Sequence, residues 1–244
     1  MPPPPRLKHL IQPVIVYTTT SLLGNGAVVL FASHTTNPAH PDSILTALLA
    51  AHALALGLTV LSTQALLRAD GTSLAEVCGH PRCLRVRPTV LLWAAITLSW
   101  LIPILALAAW AGPSPGASPD APASDWLHLT GSQALTLAFF GIPIVGMAYP
   151  AVLSAYYTGI VYPYLAQRFT HRASWLGCAT IGCAIHITAT PWMLLLPGAA
   201  IGTPVACAWL RARTGNAASS IVLAQAVWTT FLLIALIYAT RTPA

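Results

Sequence analysis

The chain has 244 residues, of which 7% are charged and 56% hydrophobic, and its mean hydropathy is +0.72. Soluble domains carry about a quarter charged residues, so this sequence lacks the charge to coat a globule and its excess apolar surface requires lipid. The net charge of +6 does not indicate nucleic acid, because the basic residues sit in short segments between apolar runs.

About 20 apolar residues cross the hydrocarbon layer. In chain order the sequence offers Val14–Ser33, Ser43–Leu67, Val90–Ala111, Ala134–Pro150 running on toward Tyr164, Ser174–Thr190, Trp192–Leu210 and Ser219–Ala239. The expected fold is therefore an all-α, polytopic membrane bundle of about seven transmembrane helices. The fourth stretch is too long for one span, and Pro150 is a place where it would divide and add a further crossing. Pro191 separates the fifth and sixth and implies a tight hairpin. Residues 1–13 form a tail, and the apolar run after Arg6 and Lys8 has no clear cleavage site, so a first span is expected rather than a cleaved leader. Residues 14–111 make a three-helix membrane part, 112–133 a loop, 134–239 a second membrane part and 240–244 a short tail.

The basic residues fix an orientation. Arg6 and Lys8 precede the first span; Arg68, Arg82, Arg85 and Arg87 follow the second; Arg168 and Arg172 follow the fourth; Arg211 and Arg213 follow the sixth. All share one side in a seven-span arrangement, and Arg241 alone falls opposite, which puts the N-terminus in the cytoplasm. The 112–133 loop begins GPSPGASPDAPASDW, carries acids and no base, and reads as a flexible non-cytoplasmic loop. The sequence has no visible inverted repeat, which weakens a classical secondary transporter.

Chemistry is then constrained by what lies within the spans. The acids Asp42, Asp70, Glu76, Asp120 and Asp125 all fall in loops or at span ends, which argues against a carboxylate proton relay or a mid-membrane carboxylic general acid. Asn25, His52, Gln64, Gln133, His186 and Gln225 are the polar groups left inside. His186 is central in its span and reads either as a neutral imidazole bonded between helices or as a ligand or general acid/base. Cys183, one turn earlier, shares its face, but nothing orients a thiolate–imidazole pair. His52 reads as a packing or interface residue. Cys178, Cys183 and Cys207 behave as small hydrophobes within apolar stretches. The loop CGHPRC brings Cys78, His80 and Cys83 together, yet a structural zinc site takes four ligands and no second cluster exists, so no metal and no other cofactor is expected. Its arginines, Arg82, Arg85 and Arg87, suit an anionic membrane surface instead.

The stretches SAYYTGIVYPYLAQRF, GCAIHITATP and GAAIGTPVACAWLRARTGNAASSIVLAQAVWTTF resemble, in order and spacing, the CAAX-protease and bacteriocin-processing (CPBP) family of glutamate-type intramembrane proteases. Gly159, Pro163 and Leu165 fit the trailing part of the family's first motif, His186 its second, and Arg211, Arg213, Thr214, Gly215 and Asn216 the turn before its last helix. The departures matter as much. Leu153 and Ser154 stand where the family has its glutamates, Thr158 replaces an arginine, Gly182 a phenylalanine, Gln225 a histidine and Thr229 an asparagine. What the resemblance implies is a membrane protein that has lost the family's peptide hydrolysis. His186 is then the sole catalytic candidate, and Tyr156, Tyr157, His186 and Gln225 are the candidate ligand-binding residues.

Three functions fit this reading. One is a non-proteolytic relative that binds a hydrophobic or isoprenoid-like ligand within the membrane. The second is a membrane-embedded biosynthetic enzyme, such as a cyclase acting on a lipophilic intermediate of secondary metabolism, and the third is a small transporter or assembly subunit with a membrane-protein partner. Tyr149, Tyr156, Tyr157, Tyr162, Tyr164, Trp175 and Trp192 would either line the cavity or form interfacial belts. The partners expected are the lipid bilayer and a lipophilic small molecule, and no nucleic acid.

Overall fold

The computed structural model describes residues 6–34, 41–79, 84–111, 131–189 and 198–241. Helix follows helix, with no strand among the described residues. The elements are α1 (Leu7–His34), α2 (Pro41–Ala69), a short α3 (Leu74–Cys78) and α4 (Val86–Ala111). A long helix α5 (Gly131–Ala166) follows, then α6 (His171–Ala189), α7 (Thr203–Thr214, entered through the π-helical turn Gly198–Gly202) and α8 (Ala218–Arg241). Four stretches are long and apolar enough to cross a membrane: Leu7–Leu30, Ser43–Ala69, Gly131–Ala166 and Ala218–Ile237. Val86–Ile102 is a shorter apolar helix. Pro191, read as a hairpin, and the beginning of the Trp192–Leu210 stretch lie outside the described residues, as does most of the 112–133 loop, while the rest of that stretch forms the turn Gly198–Gly202 and most of α7.

Pro150 does not divide the fourth apolar stretch, contrary to one expectation from the sequence. Helix α5 runs unbroken for 36 residues through Pro143, Pro150 and Pro163. A proline removes one N–H and its ring collides with the carbonyl four residues back. Here the backbone widens: Leu137–Ala148 and Ala155–Val161 are π-helical. Tyr149 N–H donates to the Ile144 carbonyl and Tyr162 N–H to the Tyr157 carbonyl, each five residues back and just ahead of a proline. The looser turn gives the ring room and keeps the neighbouring polar groups bonded, as lipid demands. At 1.5 Å per residue α5 is at most about 54 Å long.

Lipid offers no hydrophobic reward for bringing helices together, so small residues that permit close backbone approach decide where they meet. Thr229 of α8 donates to the Gly146 carbonyl of α5 at 3.1 Å, and a Cβ on Gly146 would sit 3.4 Å from the Thr229 Cα. A Cβ on Gly182 would come within 2.9 Å of Pro204, and one on Gly24 within 2.9 Å of Ala51. The interior around α5, α7 and α8 is correspondingly dense, with Tyr157, Cys207, Leu210, Leu223 and Ala224 all buried. Leu22, Leu23 and Phe139 are 69, 70 and 71% exposed, which makes the outer surface the apolar one.

At one end of the bundle α1 is tied to α2 by charge. Lys8 Nζ and His9 Nε2 each lie 2.9 Å from the Asp70 carboxylate, and Arg6 is at 3.8 Å. The hydrogen bond from Lys8 is the main reason the Asp70 carboxyl is held below its ordinary value of 3.8, with Arg6 and His9 adding to it. A depressed carboxyl contributes stability that is present above its ordinary value and is lost as pH falls through its folded value. The melting temperature in detergent should therefore drop as pH falls below about 4 in the wild type, and Asp70→Asn should flatten that limb while lowering the neutral-pH plateau. Parallel acid limbs in the two proteins would show that the cluster does not hold α1.

Candidate functional site

One face of α1 carries Thr18, Ser21 and Asn25 at helical spacing, with Asn25 Nδ2 donating to Ser21 Oγ at 3.4 Å. This polar face borders a cavity of about 290 Å³ between α1, α2 and α5. Tyr17, Asn25, His52, Leu153 and Tyr156 are among its lining residues. The Tyr17 hydroxyl lies 3.3 Å from His52 Nε2, so His52 is a cavity residue as well as a packing one. A second cavity of about 220 Å³ shares Pro13, Thr59, Val152 and Tyr156 with the first and continues past Cys78 to Ile221. No carboxylate lines either one. The Thr59 and Thr63 hydroxyls beside them donate to their own helix at 2.7 and 2.6 Å, which leaves the walls mainly apolar.

His186 lies deeper. Its imidazole is 1% exposed and is enclosed by aromatic rings. Trp228 stacks on it at 5.8 Å, while Tyr157 and Tyr149 present edges at 6.2 and 6.4 Å. Tyr149 also touches the His52 ring at 5.2 Å and so links this cluster to the cavity wall. The Tyr157 hydroxyl is set against Ser154 and Cys207. Such an array is closely packed, and it gives His186 a fixed orientation.

The proposed ligand-binding set therefore separates. Tyr157 and His186 come together in the core. Tyr156, the next residue along α5, faces both cavities and donates its hydroxyl to the Leu10 carbonyl at 2.6 Å. Gln225 instead donates to the Met147 carbonyl at 3.2 Å, joining α8 to α5. Cys183 directs its thiol toward the Ile201 carbonyl at 3.8 Å, away from a pairing with His186. Gln64 accepts from Leu74 N–H at 2.9 Å and holds the start of α3. Of the loop cysteines and histidine, Cys78 is half-buried, while His80 and Cys83 lie outside the described residues.

Tyr17 was not visible as a site residue from sequence. Aromatics near span ends read as interfacial anchors, and only the meeting of α1 with α2 brings it to His52. Trp228 and Tyr149 likewise join His186 only through tertiary packing. Comparison with protein-family models, with curated proteins and with solved structures finds no match to this chain.

If His186 serves packing, removing its bulk matters more than removing its titration. His186→Ala should cost about 2–5 kcal/mol, the range for emptying a large core position. His186→Gln refills most of the space, and interhelical hydrogen bonds in lipid average only about 0.6 kcal/mol. Thermal unfolding in detergent should rank wild type and His186→Gln close together and His186→Ala well below. Equal losses in both variants would point to a role that only imidazole can fill.

Proposed function

We propose that this is a polytopic membrane protein, crossing about seven times with a cytoplasmic N-terminus, that binds a hydrophobic, isoprenoid-like ligand and does not hydrolyse peptides. The observation that carries this reading is the pair of adjoining cavities around Tyr156, about 290 and 220 Å³, walled largely by apolar side chains. A few convergent polar groups in an otherwise apolar cleft are the usual make-up of a small-molecule site. Tyr17, His52 and Asn25 provide them here.

The departures from the CPBP pattern support the non-proteolytic half. Leu153 and Ser154, at the positions of the family's glutamates, are both buried and offer no group to activate water. A cyclase would place its aromatic residues around open space. The rings about His186 fill theirs, and His186 is not among the residues lining the two cavities, so binding is favoured over catalysis.

A photoreactive long-chain prenyl alcohol should label α1, α2 and α5 at residues such as Tyr17 and Tyr156. Val152→Phe, which intrudes on both cavities, should weaken labelling about ten-fold, equivalent to ~1.4 kcal/mol. A prenylated CAAX peptide should stay intact in the same preparation. Labelling spread over the outer surface and indifferent to Val152→Phe would refute the cavity as the site. The orientation is tested separately: a cysteine placed within residues 113–125 should react with an impermeant reagent from outside, and one beside Arg85 should not. Equal reaction at both would overturn the seven-span arrangement.

A further inference from the structure

The two adjoining cavities differ in what their walls carry. Pro13, Thr59, Val152 and Tyr156 line both, so they form one chamber with two limbs. In the first limb α1 presents Tyr17, Thr18, Ser21 and Asn25, and α2 presents His52. The second is walled by residues such as Val60, Leu74, Ala155, Ile160 and Ile221. Its hydroxyls are already committed, since Thr59 and Thr63 donate within α2 and Tyr156 donates to the Leu10 carbonyl. Polar and apolar walls are thus segregated, as a molecule with a polar head and an apolar tail requires.

Asn25 sits at the end of the polar stripe of α1 away from Pro13. It lies within the apolar stretch Leu7–Leu30 and is exposed on the outside of the bundle. Polar side chains in a span ordinarily face the bundle interior, because lipid satisfies none of their hydrogen bonds. An asparagine amide has two N–H donors and a carbonyl acceptor. Among the described residues it bonds to Ser21 Oγ on its own helix, through Nδ2 at 3.4 Å, which leaves a donor and an acceptor over. On the same wall the Tyr17 hydroxyl lies 3.3 Å from His52 Nε2.

Neither limb is lined by Asp, Glu, Lys or Arg. A charged head enclosed there would lose its water without gaining a counter-ion, which costs far more than burying a hydroxyl. Among uncharged oxygen heads, a carbonyl or an ether can accept a hydrogen bond but cannot donate one. A hydroxyl does both, and so meets the donor and the acceptor that Asn25 has left.

We infer that the chamber takes an uncharged, single-chain lipid alcohol. Its hydroxyl is seated on the Tyr17–Asn25 wall of α1, and its chain runs past Val152 and Tyr156 into the second limb. This rests on the hydrophobic-ligand reading above and adds the charge, hydrogen-bonding character and direction of the ligand.

Three probes with one tail and different heads test it: farnesol, farnesyl methyl ether and farnesyl phosphate. Each is titrated, as a mole fraction of maltoside micelles, against the thermal unfolding of full-length protein. Farnesol should half-saturate about five-fold below the methyl ether, as expected for one neutral hydrogen bond. It should half-saturate at least about ten-fold below the phosphate, whose charge finds no partner. Asn25→Leu should bring farnesol to within about two-fold of the methyl ether while keeping the methyl ether response. That variant should fold, because Asn25 faces outward and leucine suits lipid better. If it does not, Tyr17→Phe, which removes the hydroxyl and keeps the ring, must narrow the same gap. A gap that persists in Asn25→Leu, or in Tyr17→Phe where that variant stands in for it, overturns the assignment. A change of oligomeric state in Asn25→Leu with the farnesol response intact also overturns it, and gives Asn25 to a second copy of the chain. Farnesyl phosphate matching farnesol, or equal half-saturation by all three, refutes the alcohol but leaves the hydrophobic-ligand reading standing. No response to any probe would sink both readings.

Discussion

Helices in lipid gain nothing by hiding apolar side chains from one another, and this constraint shapes the whole molecule. Cohesion must come from close backbone approach and from polar groups that find partners. The Thr229–Gly146 contact between α8 and α5 does both, with a 3.1 Å hydrogen bond at a place where an added Cβ would crowd Leu232 at 3.2 Å and the Thr229 backbone at 3.4 Å. Gly182 against Pro204 and Gly24 against Ala51 repeat the close approach, since a Cβ added to either glycine would come within 2.9 Å of its neighbour. Cys207 and Ser220 extend it between α7 and α8, where Ser220 Oγ donates to the Cys207 carbonyl at 2.7 Å and Cys207 Sγ to the Ser220 carbonyl at 3.2 Å. Polar atoms are thereby satisfied at the contacts themselves.

The same economy separates the interior into two kinds of space. Around His186 the rings of Trp228, Tyr149 and Tyr157 leave little room. Around Tyr156 the helices part, and the walls are lined by residues that already bond within their own helices, such as Thr59 and Thr63. Tyr17 and His52, which meet at 3.3 Å, are the polar pair that the wall presents to this space.

Much of the helical architecture was legible because it depends on local composition. The apolar runs beginning near Val14, Ser43 and Ser219 correspond to α1, α2 and α8. The continuity of α5 was not legible. A proline reads locally as a stop, and only the π-helical turns reveal how the chain passes Pro150. The site was legible in fragments. His186 and Tyr157 could be named from their place in a span, yet their meeting, and the diversion of Gln225 to Met147, depend on how α5, α6 and α8 pack. Tyr17 gave no signal at all, because its partner is on another helix.

The length of α5 has a consequence for where the protein can reside. A straight helix of 36 residues exceeds a hydrocarbon core of about 30 Å by a wide margin. Tilt, curvature at the wide turns, or emergence into the headgroup region must absorb the excess, and each carries a cost that depends on local bilayer thickness. Cellular membranes differ in that thickness by a few ångströms. The π-helical turns at Leu137–Ala148 and Ala155–Val161 are the places where the helix can bend without leaving backbone groups bare. Helix α5 also forms a wall of both cavities. A change of membrane, or of its sterol content, would therefore act on the volume of these cavities through hydrophobic mismatch alone.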